Sequence, residues 1–322
     1  MSFNDIFGHE KQIRQLKTTI ANDRLPHAFL FYGMEGIGKR TTALIFAKAL
    51  NCLTGNEDAC NACDACLKAD HNNHPDLIIL EAEGQFIKIQ AIRALQERMK
   101  YKPWEGKKRV CIIIDAERMN DAAANALLKT LEEPPPSNII ILVTARPYLL
   151  PATIISRCQQ LRFSPLPEDT VASFLELRSS LDIKTARLLA SSSGGSIARA
   201  QEMQKGPYLS LRNELLTLLA EGHRHDLLTR LSFVSSLGKE DIPERLNILR
   251  LCYHDAMLLR EGGEGQGLKN QDRLDIVKSL SCRLTTQDII NNIKTIEWAS
   301  QAVEQHADKT LTLEVMVFKL NW

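Results

Sequence analysis

The segment Gly33-Met-Glu-Gly-Ile-Gly38-Lys39-Arg40-Thr41 has the glycine and lysine spacing of a phosphate-binding loop. Glycines there let backbone N–H groups converge on a phosphate. A following helix N-terminus adds partial positive charge, and Lys39 reaches the outer oxygens. Gly33, Gly36, Gly38 and Lys39 are therefore candidate phosphate contacts. The position after the lysine normally carries Ser or Thr, whose hydroxyl holds Mg²⁺, but here it is Arg40. Thr41 lies about 100° further around the helix and does not simply replace that hydroxyl. Two readings stay open: a cradle that binds nucleotide with a weakened metal site, or a loop of the same shape that binds none.

Hydrolysis also asks for an acid ending a buried strand to hold Mg²⁺, and an adjacent Glu to polarise the attacking water. In Val110-Cys-Ile-Ile-Ile-Asp115-Ala116-Glu117, Asp115 occupies the metal-side place, whereas Ala116 stands where the Glu belongs. Glu117 is one residue late, and on an extended chain it faces away from Ala116. Asp115 is alternatively a helix cap at a strand end.

Four of the eight cysteines form Cys52-x7-Cys60-x2-Cys63-x2-Cys66. Four thiolates suit tetrahedral zinc at ~2.3 Å and leave no open coordination position, so the expected role is structural. Unliganded or redox-active thiols and an iron–sulfur cluster are the competing readings. A zinc-dependent DNA-binding module is disfavoured by the acidic neighbours in Asn56-Glu-Asp58 and at Asp64, and by a near-neutral chain. His71 and His74 are expected to lie outside the ligand set. Cys111, Cys252 and Cys282 are expected in the core, and Lys107-Lys-Arg109 in a solvated turn.

Elements must hold these groups. The apolar runs Ala28–Tyr32, Leu77–Leu80, Val110–Ile114 and Ile139–Val143 lack polar alternation, as strands covered on both faces do, and helical stretches separate them. The fold class expected for residues 1–165 is a parallel α/β P-loop domain, with the cysteine module at about 50–70. Prolines in Phe163-Ser-Pro-Leu-Pro167 mark a boundary. Residues 166–207 read as a small helical lid and 208–322 as an all-helical domain. Gly262-Gly-Glu-Gly-Gln-Gly267 is a loop within it, and a capped helix begins near Asp308.

The 322 residues carry 40 Lys plus Arg against 39 Asp plus Glu, a net charge of +1, which excludes a polycation or an acidic tail. No run approaches the ~18 apolar residues of a membrane helix, so no membrane partner is expected. The opening MSFNDIFGHE has neither an export nor an organelle signal, and the cytoplasm is the expected compartment.

Four elements occur here in the order found in bacterial AAA+ clamp-loader subunits. These are Phe29-Leu-Phe-Tyr-Gly33, the cysteine cluster, Asn125-Ala-Leu-Leu-Lys-Thr-Leu-Glu-Glu-Pro-Pro135, and Leu150-Pro-Ala-Thr-Ile-Ile-Ser156-Arg157-Cys158. The chain resembles that family over nearly its full length, by motifs to about residue 200 and by pattern beyond. The resemblance implies a ring of AAA+ subunits held by a C-terminal helical collar, with ATP at subunit boundaries. It implies gamma/tau and delta subunits, a sliding clamp and primed DNA as partners within a DNA polymerase III hetero-oligomer, and structural zinc. Arg157 would be an arginine finger reaching a neighbour's ATP, a role worth ~10³ to 10⁵ in rate in phosphoryl-transfer systems. The bland alternative is a surface salt bridge. Thr144 lies near the family's sensor-1 position, or is a strand-end hydroxyl bonded locally. In Gly195-Ser-Ile-Ala198-Arg199 the sensor-2 arginine comes one place late. Arg40, Ala116 and this shift depart together from the ATP-hydrolysing gamma/tau type, so the expectation is a subunit with no ATPase of its own. The alternative is a gamma/tau-like motor.

Overall fold

A computed structural model describes residues 1–22, 25–55, 57–221, 230, 233–235, 237–238, 241–263 and 267–322. Residues 264–266 of the expected glycine-rich loop, and Asn56, lie outside them. By the density of its contacts the chain divides into Met1–Leu181 with Gly194–Arg199, and Asp182–Ser193 with Ala200–Trp322. The expected lid segment contributes to both: α7 (Glu168–Ser179) belongs to the first unit and α8 (Ile183–Ser192) to the second.

The first unit is built on a five-stranded sheet in the order β2-β3-β4-β1-β5, with every pairing parallel. Its strands are β1 (Ala28–Tyr32), β2 (Leu77–Leu80), β3 (Arg109–Ile113), β4 (Asn138–Thr144) and β5 (Gln159–Arg162). Strand β5 has no counterpart among the expected runs; its pattern Gln-Gln-Leu-Arg buries only Leu161, as suits an edge strand.

Two apolar layers explain why the other strands do not alternate. Ala28, Leu30, Cys111, Ile113, Ile140 and Leu142 point to one face, under α4 (Ile89–Met99) and α5 (Asp121–Glu132). Phe29, Phe31, Val110, Ile112, Ile139 and Ile141 point to the other, under α1 (Glu10–Ala21) and α2 (Lys39–Leu50). Each strand thus supplies both cores, with a period of two within a continuous apolar run. This is a parallel α/β domain with both faces of its sheet covered.

The second unit is helical, with Tyr208–Glu221, Ile242–Arg260, Leu274–Arg283, Thr286–Glu304 and Lys309–Lys319 as its long elements. Asp308 caps the last of these by accepting the Leu311 N–H at 2.8 Å. Cys252 is buried, but Cys282 is exposed, contrary to the expected core position. Its helix buries Ile276, Val277, Leu280 and Ser281, and the next residue around turns outward. Among the described residues no helix is long and apolar enough to cross a membrane.

A buried ion pair in the first unit joins Asp76, fully buried, to Arg109 at 2.9 Å. Asp76 also accepts the N–H groups of Trp104, Glu105 and Gly106 at 2.8, 2.9 and 2.9 Å. Burial raises its pKa, but these four donors outweigh burial and hold the carboxyl below the ordinary range. A carboxyl whose folded pKa is depressed contributes stability above its unfolded value, and that contribution is lost as pH falls through the folded value. Asp76→Ala should therefore cost roughly 3–5 kcal/mol in urea unfolding at neutral pH, the cost of leaving a buried charge unpaired. It should also flatten the acid limb of the stability–pH curve.

Candidate functional site

The glycine loop joins β1 to α2. Gly33, Gly36 and Gly38 have φ of 147°, 75° and 102°, in the region that disfavours side chains. Two of the three also have no room: a Cβ on Gly33 would lie 2.1 Å from the Phe163 carbonyl oxygen, and one on Gly36 would lie 2.2 Å from Ser196 Oγ. The Ala198 N–H donates to the Gly36 carbonyl at 3.1 Å, so the start of α9 (Ile197–Lys205) is seated on the loop. From the other side His9 Nε2 donates to the Ile37 carbonyl at 2.7 Å, while its ring meets Phe163 edge-on at 4.9 Å. Burial keeps this imidazole's pKa below its usual value.

Lys39 lies inside the loop, 6% exposed, donating to the carbonyls of Gly33 at 2.7 Å and Met34 at 2.6 Å. Burial lowers its pKa, opposed by the charges of Glu117, Glu35 and Asp115. Arg40 turns outward to an exposed ion pair with Glu81 at 2.5 Å. Thr41 is half-buried, and the next residue, Thr42, donates its hydroxyl to the Gly38 carbonyl at 2.9 Å.

Asp115 follows the end of β3 with φ 50°, exposed, and its side chain makes no capping bond. Contrary to the expected extended chain, Glu117 does not continue the strand, because the chain turns into a 3-10 helix at Ala116–Arg118. Its Oε1 accepts the Ala145 N–H at 3.2 Å, and its buried Oε2 has no hydrogen-bond partner among the described residues. Thr144 is fully buried, and its hydroxyl oxygen accepts the Arg146 N–H at 3.0 Å. Arg199 lies in the first turn of α9, its N–H donating to Ser196 Oγ at 3.2 Å. The structure thus gathers the loop, Lys39, Asp115 and Glu117 at the C-terminal ends of β1 and β3.

Arg157 lies elsewhere. It follows α6 (Ala152–Ile155) and precedes β5; its guanidinium donates to the Thr153 carbonyl at 2.9 Å and to Glu132 at 2.7 Å. Phe29 pairs with Gln159 in the parallel register. Gln159 thus lies four residue positions, about 13 Å along the strands, from the level of Gly33, and Arg157 precedes Gln159.

The four cysteines converge after α2, with their sulfurs all within 4.8 Å of one another. Cys52 to Cys63 is 4.0 Å and Cys60 to Cys66 is 3.9 Å. A tetrahedron of thiolates at ~2.3 Å from zinc requires sulfurs about 3.8 Å apart, so the donor set fits. Backbone N–H groups of Gly55 and Cys63 reach Cys52 and Cys60 sulfurs at 3.1 and 3.3 Å. Hydrogen bonds from Thr54 and then from the Ala62 and Cys63 amides lower the Cys60 pKa to about 5, whereas burial pushes Cys66 up to about 12. These four residues could hold a structural metal such as zinc. His71 and His74 stay outside the cluster, bonded to the Leu67 carbonyl and the Asp76 N–H respectively.

Residues 8–167 match the family profile described as DNA polymerase III, delta subunit, and residues 207–321 the one described as its C-terminal part. DNA polymerase III subunit delta' of Bacillus subtilis is 32% identical over 314 residues, which cover 96% of this chain and 94% of that protein. The chain belongs to the DNA polymerase III delta-prime family. That membership makes it a clamp-loader subunit of DNA replication, related to gamma/tau. The tau/gamma subunit of Haemophilus influenzae is 38% identical over 175 residues, 54% of this chain but 25% of that protein. Among solved structures, a gamma-subunit-related protein of Thermotoga maritima is 18% identical with a TM-score of 0.43, covering 95% of this chain and 97% of that one.

In this delta-prime chain, sequence reasoning missed the partners that fix the site: Glu132, Glu81, His9, Phe163 and Ser196. Only the glycines hint at the last two, because a glycine marks close approach without naming the neighbour. Gly36→Ala should destabilise the first unit by roughly 1–3 kcal/mol through overpacking. Adding Ser196→Gly should recover part of that loss in thermal melts, since it removes the atom the new Cβ meets.

Proposed function

We propose that this delta-prime chain is a stator of the clamp loader: it hydrolyses no ATP itself and presents Arg157 to the ATP of a neighbouring subunit. The observation that carries this reading is the separation along β1 and β5. An arginine rooted before β5, at the end of the sheet opposite its own glycine loop, is placed to serve a phosphate of another chain. A planar, always-charged group at a half-exposed position suits that task, and its Glu132 pair keeps it oriented.

The absence of hydrolysis rests on the metal side. Arg40 is engaged with Glu81, Ala116 replaces the polarising Glu, and Thr144 is engaged locally. Asp115, Thr41 and Arg199 keep their places in the sequence, but no hydroxyl follows Lys39 directly to complete a Mg²⁺ site. Gly33, Gly36, Gly38 and Lys39 form a cradle by shape, and nucleotide binding is separable from this role. Residues 208–322 would join the collar beside gamma/tau and delta, while the assembly engages sliding clamp and primed DNA.

Cys52, Cys60, Cys63 and Cys66 would hold zinc, which supplies a closed cross-link and no catalysis. Purified protein should carry one zinc per chain, and Cys60→Ser should lose it together with thermal stability of the first unit.

The decisive experiment is DNA- and clamp-stimulated ATPase of a loader reconstituted with this chain or its Arg157→Ala form. With assembly intact, a fall in rate of at least tenfold is expected, the low end of what arginine fingers supply. An unchanged rate would remove Arg157 from the neighbour's site.

A further inference from the structure

The loop between α4 and β3, residues 100–108, takes no part in the chemistry above. It exposes Trp104 at 86% and Tyr101 at 71%, Trp104 being the most exposed large apolar side chain among the described residues. Exposed aromatics on a slack loop would mean little, but this loop is held throughout. Asp76 takes the N–H groups of Trp104, Glu105 and Gly106. Arg109, paired to Asp76, donates to the carbonyls of Arg98, Tyr101 and Lys102. Asn51 bonds both backbone groups of Lys108 at 2.9 Å. Gly106 passes so close that a Cβ would meet Asn51 Oδ1 at 2.7 Å. The buried polar groups fix the backbone and leave the rings in water, a preorganised binding surface.

Charge indicates what it binds. Glu97 is spoken for by Lys100 at 2.6 Å, Glu105 by Lys68 at 2.6 Å and Asp76 by Arg109. Arg98, Lys102, Lys107 and Lys108 then have no carboxylate partner among the described residues; Lys107 donates only to the Cys52 carbonyl, at 3.0 Å. Arg98, Tyr101, Lys102 and Trp104 border a cleft of about 560 Å³. Lysine is depleted in protein–protein interfaces, whereas cations interleaved with aromatic faces suit a strand of unpaired bases and phosphates.

We propose that residues 98–108 bind single-stranded nucleic acid, with bases stacked on Tyr101 and Trp104 and phosphates held by Arg98, Lys102, Lys107 and Lys108. A chain of net charge +1 has no long-range field to add, so the contact is local and modest for the free subunit and gains from tethering within the loader. This surface lies outside the Arg157 argument and does not depend on it.

The test is fluorescence anisotropy of a labelled oligothymidylate of about 20 nucleotides, longer than a ~4–16-nucleotide site, titrated with the full chain at low salt. Saturable binding with Kd of order 10⁻⁵ M is expected. Trp104→Ala should weaken it about tenfold with the salt slope unchanged. Lys102→Ala/Lys108→Ala should lower the slope of log K against log salt by about 0.7 for each charge removed. Both variants change exposed or half-exposed side chains, and circular dichroism checks that they fold. Absence of saturable binding by the wild-type chain up to about 10⁻⁴ M would overturn the proposal. So would binding that both variants leave intact. Loss of sliding-clamp binding by the variant loaders, with oligothymidylate binding unaffected, would also overturn it and make the loop a protein contact.

Discussion

A sheet sealed on both faces has only its edges and strand ends left for chemistry. Phe29 and Phe31 go into one core while Ala28 and Leu30 go into the other, and β3 and β4 repeat the division. No polar side chain can stand on either face without the cost of desolvation. The glycine loop, Asp115, Glu117 and Thr144 accordingly gather where the strands finish, as ligand sites in open α/β sheets do. Arg157 and the 100–108 loop gather where strands begin. The separation of a phosphate-shaped end from an arginine-bearing end follows from this arrangement.

Several polar groups that enter the interior of the first unit join segments distant in sequence. Lys48 of α2, almost fully buried, donates to the Met1 carbonyl, to Asn61 and to Asp70 at 3.1, 2.7 and 2.5 Å, tying the chain's first residues to the cysteine module. Asn51 and the Cys52 carbonyl continue the connection into the 100–108 loop. The four-cysteine centre is thus attached through its first ligand to the same loop that Asp76 and Arg109 hold. Its structural influence extends well beyond the few residues it would cross-link.

The strands of the buried centre were legible because two-sided burial writes itself as uninterrupted Val, Ile, Leu and Phe. Strand β5 was not, since Gln159-Gln-Leu-Arg162 at the edge needs only one apolar residue. The glycine loop and the cysteine cluster are local patterns, readable from spacing alone. Arg157 stands out in the sequence only through its flanking motif, since a lone arginine carries no signal of its own. The geometry at Glu117 was misread because a period of two was extended past the point where the chain leaves the strand. Pairings such as Arg40 with Glu81 or Asp76 with Trp104 join residues far apart in the chain, and no local periodicity encodes them.

The fit of the glycine loop bears on how such chains are catalogued. Gly33 is enforced by the Phe163 carbonyl and Gly36 by Ser196, both atoms of the chain itself. Neither constraint relaxes when nucleotide turnover is lost, because the close approaches belong to the fold. A chain packed this way is thus compelled to keep most of the loop's glycine signature, whether or not it turns over nucleotide. Arg40 answers to no such packing demand: its side chain leaves the loop for an exposed ion pair with Glu81.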